Sequence, residues 1–170
     1  MVEHRSIVNH VLAMTDEVAL NSADRLLAVT TISFDIAALE IFGPLANGGT
    51  CVIADEAQTR DGATLVKLIE EAEISIMQAT PATWRLLCDS GWSGSPRLRG
   101  LCGGEALPVE LASRLVSRLA RVWNVYGPTE TAVWSLVAEL PGEIDAGAVA
   151  VPIGRPIANT RLFVVGEGGG

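Results

Sequence analysis

The stretch "RVWNVYGPTETAVWS", residues 121–135, decides how this chain is read. Its opening, "RVWNVY", is an apolar run that reads as a strand emerging from the end of a helix. Gly127 and Pro128 then break it, and Thr129 and Glu130 set a hydroxyl beside a carboxylate, with Trp134 close behind. "YGPTE" therefore falls at the C-terminal end of a strand, where open α/β sheets build their ligand sites.

Working back from there, strand-like and helix-like runs alternate. "RLLAVT" (25–30) is a short apolar, β-branched strand. In "SFDIAALEIFGPLANGG", Ile36, Leu39 and Phe42 recur at helical spacing, and the Gly48, Gly49 pair closes the helix. "TCVIA" (50–54) is the next strand. "DGATLVKLIEEAE" has Asp61 as its N-cap and Leu65, Leu68 and Ile69 on one face. "ISIMQAT" is a strand ended by Pro81, which suits the first turn of the helix "PATWRLLCDSG". "LRGLCGG" is a strand, and "PVELASRLVSRLA" a helix with Leu111, Leu115 and Leu119 in register. Repeated strand–helix units of this length imply parallel strands, crossover connections and helices on both faces. The fold class is α/β, a doubly wound and mostly parallel sheet with flanking helices. Beyond Glu130 two strand-like runs, "SLVAEL" and "TRLFVV", follow without a helix, so a further β-rich region on a different sheet is expected to begin there.

Composition narrows the function classes. The 170 residues suffice for one domain with a real core, and 49% of them are apolar. The most apolar stretch, "FGPLANGGTCVIA", is broken by Gly, Pro and Asn and is no membrane span. Met1 is followed by Glu3, His4 and Arg5 rather than by an apolar signal core. A net charge of -8 with no basic stripe speaks against nucleic acid as partner. Cys51, Cys88 and Cys102 lie far apart, and both histidines, His4 and His10, lie near the N-terminus, so no zinc constellation can be assembled. Reduced core thiols in a cytoplasmic protein are the plain expectation. The chain opens inside a helix-like run and stops in "VVGEGGG", so it is expected to be a fragment of something larger.

In a sheet of this kind the ligand lies outside the C-terminal ends of the strands. Those ends deliver "TTISFD", "MQATP", "CGGE" and "NVYGPTE". Most are Gly- or hydroxyl-rich turns that can present backbone N–H groups to an anion. Glu105 and Glu130 add carboxylates of the kind a hard Mg²⁺ ion accepts beside nucleotide phosphates. A nucleotide site follows from this combination.

"NVYGPTE" also resembles the signature of the adenylate-forming (AMP-binding) superfamily, specifically the amino-acid-activating adenylation domains of nonribosomal peptide synthetases. "SFDIAALEIFGPLANGGTCVIAD" is similar to that family's pocket-forming helix and strand. "QATPATW", "GGEALP" and "VPIGRPIANTRLFVV" match further stretches in the same order, so the resemblance covers nearly the whole chain. It implies that residues 1–170 are the central part of the large N-terminal subdomain, incomplete at both ends. The phosphate loop is expected upstream of "VEHRSIVN", and the ribose-binding aspartate, the hinge and the subdomain with the catalytic lysine downstream of Gly170. The polypeptide on its own is accordingly expected to be inactive.

The resemblance also implies roles. Thr129 and Glu130 are the catalytic pair, with the Thr129 hydroxyl on the α-phosphate and Glu130 holding the Mg²⁺ that bridges the ATP phosphates. Asn124, Tyr126, Gly127 and Thr129 belong to the nucleotide-binding set, Tyr126 lying flat on the adenine, with Gly103, Gly104 and Glu105 walling its other side. The plainer readings are a helix N-terminus capped by Thr129 and an ordinary strand-to-helix turn at the glycines. Asp35 matches the aspartate that holds the substrate's α-ammonium group; it also stands where a helix N-cap would stand. The positions matching the side-chain pocket are Asp35, Ile36, Leu39, Gln78, Leu101, Gly103, Val125, Val133 and Trp134. Apart from Asp35 and Gln78 they offer nothing polar, and bulky Leu39 and Trp134 leave little room beyond the α-carbon. That combination resembles the pocket pattern of glycine, with alanine next.

The expected function is therefore ATP-dependent activation of a small amino acid as an aminoacyl adenylate. Its cofactors are ATP and Mg²⁺, with loading onto the phosphopantetheine thiol of a partner carrier domain. The expected partners are the carrier and condensation domains of a cytoplasmic assembly line for secondary metabolites, with neither nucleic acid nor membrane involved. An acyl- or aryl-CoA ligase of the same superfamily is the nearest alternative, disfavoured by Asp35. A non-catalytic nucleotide-binding module is the alternative from another class.

Overall fold

The computed structural model describes residues 2–145 and 147–166. Its elements follow the alternation in the sequence. They are α1 (His4–Glu17), β1 (Arg25–Ala28), α2 (Ala37–Ala46), β2 (Thr50–Ile53), α3 (Glu56–Arg60), α4 (Gly62–Glu71) and β3 (Ile76–Ala79). Then come α5 (Pro81–Asp89), β4 (Ser95–Cys102), α6 (Val109–Val116), β5 (Leu119–Tyr126), a 3-10 turn (Thr129–Thr131), β6 (Leu136–Glu139) and β7 (Arg155–Pro156). All seven strands share one sheet, in the order β2-β1-β3-β4-β5-β6-β7. Pairs from β2 through β5 are parallel, whereas β6 and β7 join antiparallel.

Neighbouring residues on each parallel strand go to opposite cores, as the period of two requires. Leu27, Met77, Cys102 and Val122 face one core, shared with Leu65 of α4, Trp84 of α5 and Leu111 of α6. Leu26, Ile76, Leu101 and Trp123 face the other, shared with Met14 of α1 and Leu39 of α2. Both faces are covered, which is why the strands read as nearly continuous apolar runs rather than as alternating ones. On the first face Trp84 is wholly buried, donates its indole N–H to the Leu101 carbonyl at 3.0 Å and stacks on Trp92. Cys88 and Cys102 are buried thiols and Cys51 is half-buried; burial pushes the Cys102 thiol up to about 12, so it stays protonated and inert.

Asp61 and Pro81 stand where the sequence placed them. Asp61 accepts the Thr64 N–H at 2.8 Å, and Thr80 caps α5 with Pro81 in its first turn. The short α3 had no apolar periodicity to announce it; a reciprocal capping box between Asp55 and Gln58 holds it. At the pole away from the strands' C-terminal ends, Asp24 is clamped by the Arg99 guanidinium, by the Ser75 hydroxyl at 2.7 Å and by the Asn21 N–H at 2.8 Å. Arg99 also donates to the Val18 and Ala19 carbonyls. This cluster ties the end of α1 to β1, β3 and β4.

Three expectations are corrected. "SLVAEL" does not start a different sheet: β6 returns directly alongside β5, because the Ser135 N–H bonds the Tyr126 carbonyl at 2.9 Å and closes the intervening loop. "TRLFVV" forms no strand, and its apolar side chains are exposed. Leu119 belongs to β5 and not to the preceding helix, since α6 ends at Val116 and a tight turn, Arg118 N–H to Leu115 carbonyl at 3.0 Å, reverses the chain.

Candidate functional site

The strand order 2-1-3-4-5 leaves the connections from β1 and β3 diverging to opposite sides, and a crevice opens at that switch point, beyond the strands' C-terminal ends. A cavity of about 530 Å³ lies there. Its walls come from the segment after β1 (Thr30, Asp35, Ile36), the start of α5 (Thr80, Thr83), the turn after β4 and the loop after β5 (Thr129, Val133). A second cavity of about 450 Å³ adjoins it, walled by Tyr126, Asn124, Leu107, Val151 and Ile153. Gly104, Glu105 and Gly127 border both.

The loop from Gly127 to Ser135 is held under strain. Ala132 and Val133 both adopt left-handed backbone conformations, with φ of 67° and 72°. That conformation is a genuine outlier for a β-branched residue and costs on the order of 1–3 kcal/mol. What imposes it is local: the Thr131 hydroxyl bonds the Pro128 carbonyl at 3.0 Å and lies 2.6 Å from the Ser135 hydroxyl, while Ala132 N–H reaches Thr129. The result aims Val133 into the first cavity and turns Trp134 inward beneath it. Thr129 does not cap the short 3-10 turn; Pro128 occupies that position and no side chain caps it. The Thr129 hydroxyl is left free to face the cavity.

Asp35 is not a helix cap either. Ile36 holds the N-cap position of α2 in a helical conformation and no side chain bonds the helix end. The Asp35 carboxylate, half-buried on the cavity wall, has no hydrogen-bond or ion-pair partner among the described residues. Such a group awaits a cation.

Of the expected pocket residues, Asp35, Ile36 and Val133 line the first cavity. Leu39, Leu101 and Trp134 line neither cavity and Val125 lines the second; all four are buried in one cluster with Val133, against which Ile36 packs. Gly103 lines neither cavity. A β-carbon there would stand 2.6 Å from the Val125 side chain and 2.8 Å from the Trp134 ring, so its smallness is required by the packing of that cluster. Gln78 is buried and fully engaged, accepting the Trp134 indole N–H at 2.7 Å and donating to the Ile36 carbonyl at 2.9 Å. Asn124 likewise spends its amide on the Pro152 carbonyl at 2.8 Å, fixing the segment that carries Val151 and Ile153. Tyr126 is half exposed at the mouth of the second cavity, its ring free to stack. Glu130 is exposed on the 3-10 turn, outside both cavities and without an ion-pair partner among the described residues.

Two buried groups escaped the reading of the sequence. Glu40, wholly buried in α2, accepts the Val29 and Thr30 N–H groups at 3.0 Å each, the Thr30 hydroxyl at 2.6 Å and the Gln78 amide at 3.1 Å. Burial raises its carboxyl above the ordinary range, and these four donors partly oppose that. Its only signal was a lone carboxylate inside the apolar helix "IAALEIF". His10 of α1 is buried beside the Trp134 backbone, and neither ring nitrogen has a hydrogen-bond partner of good geometry among the described residues. Burial depresses it to about 4, only partly offset by the backbone of Trp134 and the nearby Asp35 carboxylate, so it is neutral at pH 7.

A family model described as AMP-binding enzyme matches residues 1–170. The chain is 44% identical over 169 residues to a dimodular nonribosomal peptide synthase of Bacillus subtilis, covering 99% of this chain and 7% of that protein. It is 39% identical over 168 residues to tyrocidine synthase 3 of Brevibacillus parabrevis, covering 97% of this chain and 3% of the relative. Among solved structures it superimposes with a TM-score of 0.91 and 43% identity on a four-domain nonribosomal peptide synthetase bound to AMP and glycine, over 99% of this chain and 12% of that one. The chain thus spans a small part of the relatives it matches.

Proposed function

The chain belongs to the AMP-binding enzyme family, among the adenylation domains of nonribosomal peptide synthetases, and from that premise we propose that it carries the amino-acid and nucleotide sites of a domain that activates glycine or, next, alanine. The observation that carries this reading is the unpartnered Asp35 carboxylate on the wall of a cavity that Ile36 and Val133 also line, both of them packed in the cluster that holds buried Trp134 and Leu39. A carboxylate there suits an α-ammonium group, and bulky Leu39 and Trp134 at the positions that match the side-chain pocket suit little or nothing beyond the α-carbon. On this reading residues 1–170 are the central part of the domain's large subdomain.

The adjoining cavity suits the nucleotide, with Tyr126 against the base and the Gly104 turn opposite. The α-phosphate then falls near Thr129, between the two cavities. A carboxylate oxygen of the amino acid attacks the α-phosphorus, the bond to the bridging oxygen breaks, and pyrophosphate leaves. This chain contributes orientation and exclusion of water, which can supply much of such a barrier reduction. No group of three His, Cys, Asp or Glu side chains able to hold a metal occurs among the described residues. The single free carboxylate of Glu130 nevertheless fits Mg²⁺, which takes one or two protein carboxylates and completes its shell with phosphate oxygens and water. Glu130 would hold that ion, and the ion would neutralise phosphate charge.

The aminoacyl group would then pass to the phosphopantetheine thiol of a carrier domain, for use by a condensation domain in a cytoplasmic assembly line. No helix among the described residues is long and apolar enough to cross a membrane. The test is amino-acid-dependent exchange of pyrophosphate into ATP by the complete domain, across a panel of amino acids. Glycine is expected to lead and alanine to follow; preference for a large or charged side chain would refute the reading.

A further inference from the structure

Glu40 touches neither cavity, yet it bonds Val29 and Thr30 on the wall of the first one and reaches Gln78 behind it. Its Oε2 accepts the N–H groups of Val29 and Thr30, which fix the segment leading to Asp35. Its Oε1 accepts the Thr30 hydroxyl and one N–H of the Gln78 amide. The other N–H of that amide goes to the Ile36 carbonyl, and its oxygen accepts the Trp134 indole N–H at 2.7 Å. Chemistry alone fixes this amide's orientation. The indole can only donate, while the Ile36 carbonyl and the Glu40 carboxylate can only accept, so the Gln78 oxygen must face Trp134.

We propose that Glu40 is a positioning residue for substrate selection: through Gln78 it aims the Trp134 indole, and so sets the size limit of the pocket. This rests on the first cavity being the amino-acid site. Gln78 is then the relay between Glu40 and the Trp134 indole. The carboxylate cannot be exchanged for an amide without reversing the relay. With two backbone N–H groups fixed against Oε2, the glutamine in Glu40→Gln must turn its oxygen to them and its NH2 towards Gln78. Gln78 must then present its own oxygen to that NH2 and its NH2 to the indole, which leaves two donors face to face there and sets the Gln78 oxygen against the Ile36 carbonyl. Trp134→Phe removes one of those donors while keeping a ring in place.

The complete domain tests this with Glu40→Gln, Gln78→Leu, Trp134→Phe and the Glu40→Gln/Trp134→Phe pair. The indole N–H resonance that Trp134→Phe deletes is that of Trp134. It is expected to shift in Glu40→Gln and in Gln78→Leu. The ratio of glycine to alanine kcat/KM is expected to fall by about tenfold or more in both, the scale on which one methyl is discriminated. Trp134→Phe is expected to restore most of that ratio in the Glu40→Gln background, a coupling that a simple loss of stability does not produce. Retained AMP binding shows that each variant is folded, and Gln78→Leu stands in if Glu40→Gln is not. An unmoved indole resonance, or equal losses for both amino acids, overturns the proposal. If the unaltered domain shows no exchange with small amino acids, the site reading fails, and the resonance still decides the relay.

Discussion

Gly127 lies so close beneath Val133 that a β-carbon on it would stand 2.2 Å from the Val133 carbonyl oxygen and 2.9 Å from the Trp134 α-carbon. Both are backbone atoms and neither can swing aside. The glycine of "YGPTE" is thus required by the way the loop folds back over the end of β5, quite apart from any ligand. Gly127→Ala is expected to push the Pro128–Val133 segment away from the strand. Displacements of about 1 Å at a reacting centre cost on the order of 100-fold, so exchange activity should fall at least that far. Overpacking itself should cost only about 1–3 kcal/mol, leaving the domain folded. Activity within tenfold of the unaltered domain would show that the loop yields without consequence.

Asp35 is the charged contact on which amino-acid activation is expected to depend. In Asp35→Ala the ammonium loses its partner, and breaking such a pair when buried costs roughly 3–5 kcal/mol. Glycine-dependent exchange should therefore fall by more than about 100-fold in kcat/KM, while ATP affinity measured by calorimetry stays near that of the unaltered domain. Near-normal exchange would leave Asp35 without a role in the site.

His10 gives the fold a titration of known sign. Its ordinary value is 6.5 and burial holds it to about 4, so between those pH values the unfolded chain takes up a proton that the folded chain refuses. Stability is lost as pH falls from about 6.5 to about 4 and changes no further below that on account of this group. The full effect is about 3 kcal/mol at roughly 1.4 kcal/mol per pH unit. His10→Leu removes both the titration and two unpartnered buried nitrogens. The variant is expected to be no less stable at pH 7 and to gain on the unaltered domain as pH falls through that window, read from urea midpoints. Parallel curves from pH 7 to pH 4 would dismiss the assignment.

How much of this was legible in the sequence follows from what each kind of signal encodes. Strands such as "ISIMQAT" and caps such as Asp61 and Pro81 are local, so composition and spacing announced them correctly. The family and its fold were legible because several motifs recur in a fixed order along the chain. The partner of "SLVAEL" was not, since it depends on a two-residue left-handed kink at Ala132 and Val133 that no glycine marks. Gln78 read as a polar lining residue, and the structure surrounds its amide with Ile36, Glu40 and Trp134, because a sequence names an amide but not the three groups that consume it. Glu40 and His10 were missed for a related reason: burial of a charge or an imidazole is a property of what folds over it.

Trp134 finally offers a test of the pocket's size. Its indole is buried in one cluster with Leu39, Leu101, Val125 and Val133, the last of which lines the cavity that Asp35 borders. In Trp134→Ala the floor opens, and alanine or larger apolar amino acids should gain activity. Glycine should lose activity modestly, since a small ligand is held less well in a larger space. The side chains that would border the new space, Leu39, Leu101, Val125 and Val133, are apolar, so acidic and basic side chains should stay excluded from it, as an unpaired charge there would be costly. Truncating a buried Trp costs about 3–5 kcal/mol, so exchange should be compared at a temperature where both proteins are shown to be folded. The Gln78 oxygen that loses its indole donor can be met by water entering the new space. A substrate profile unchanged by the substitution would place the indole in the core alone, and a native preference for large side chains would contradict the pocket reading before any variant was made.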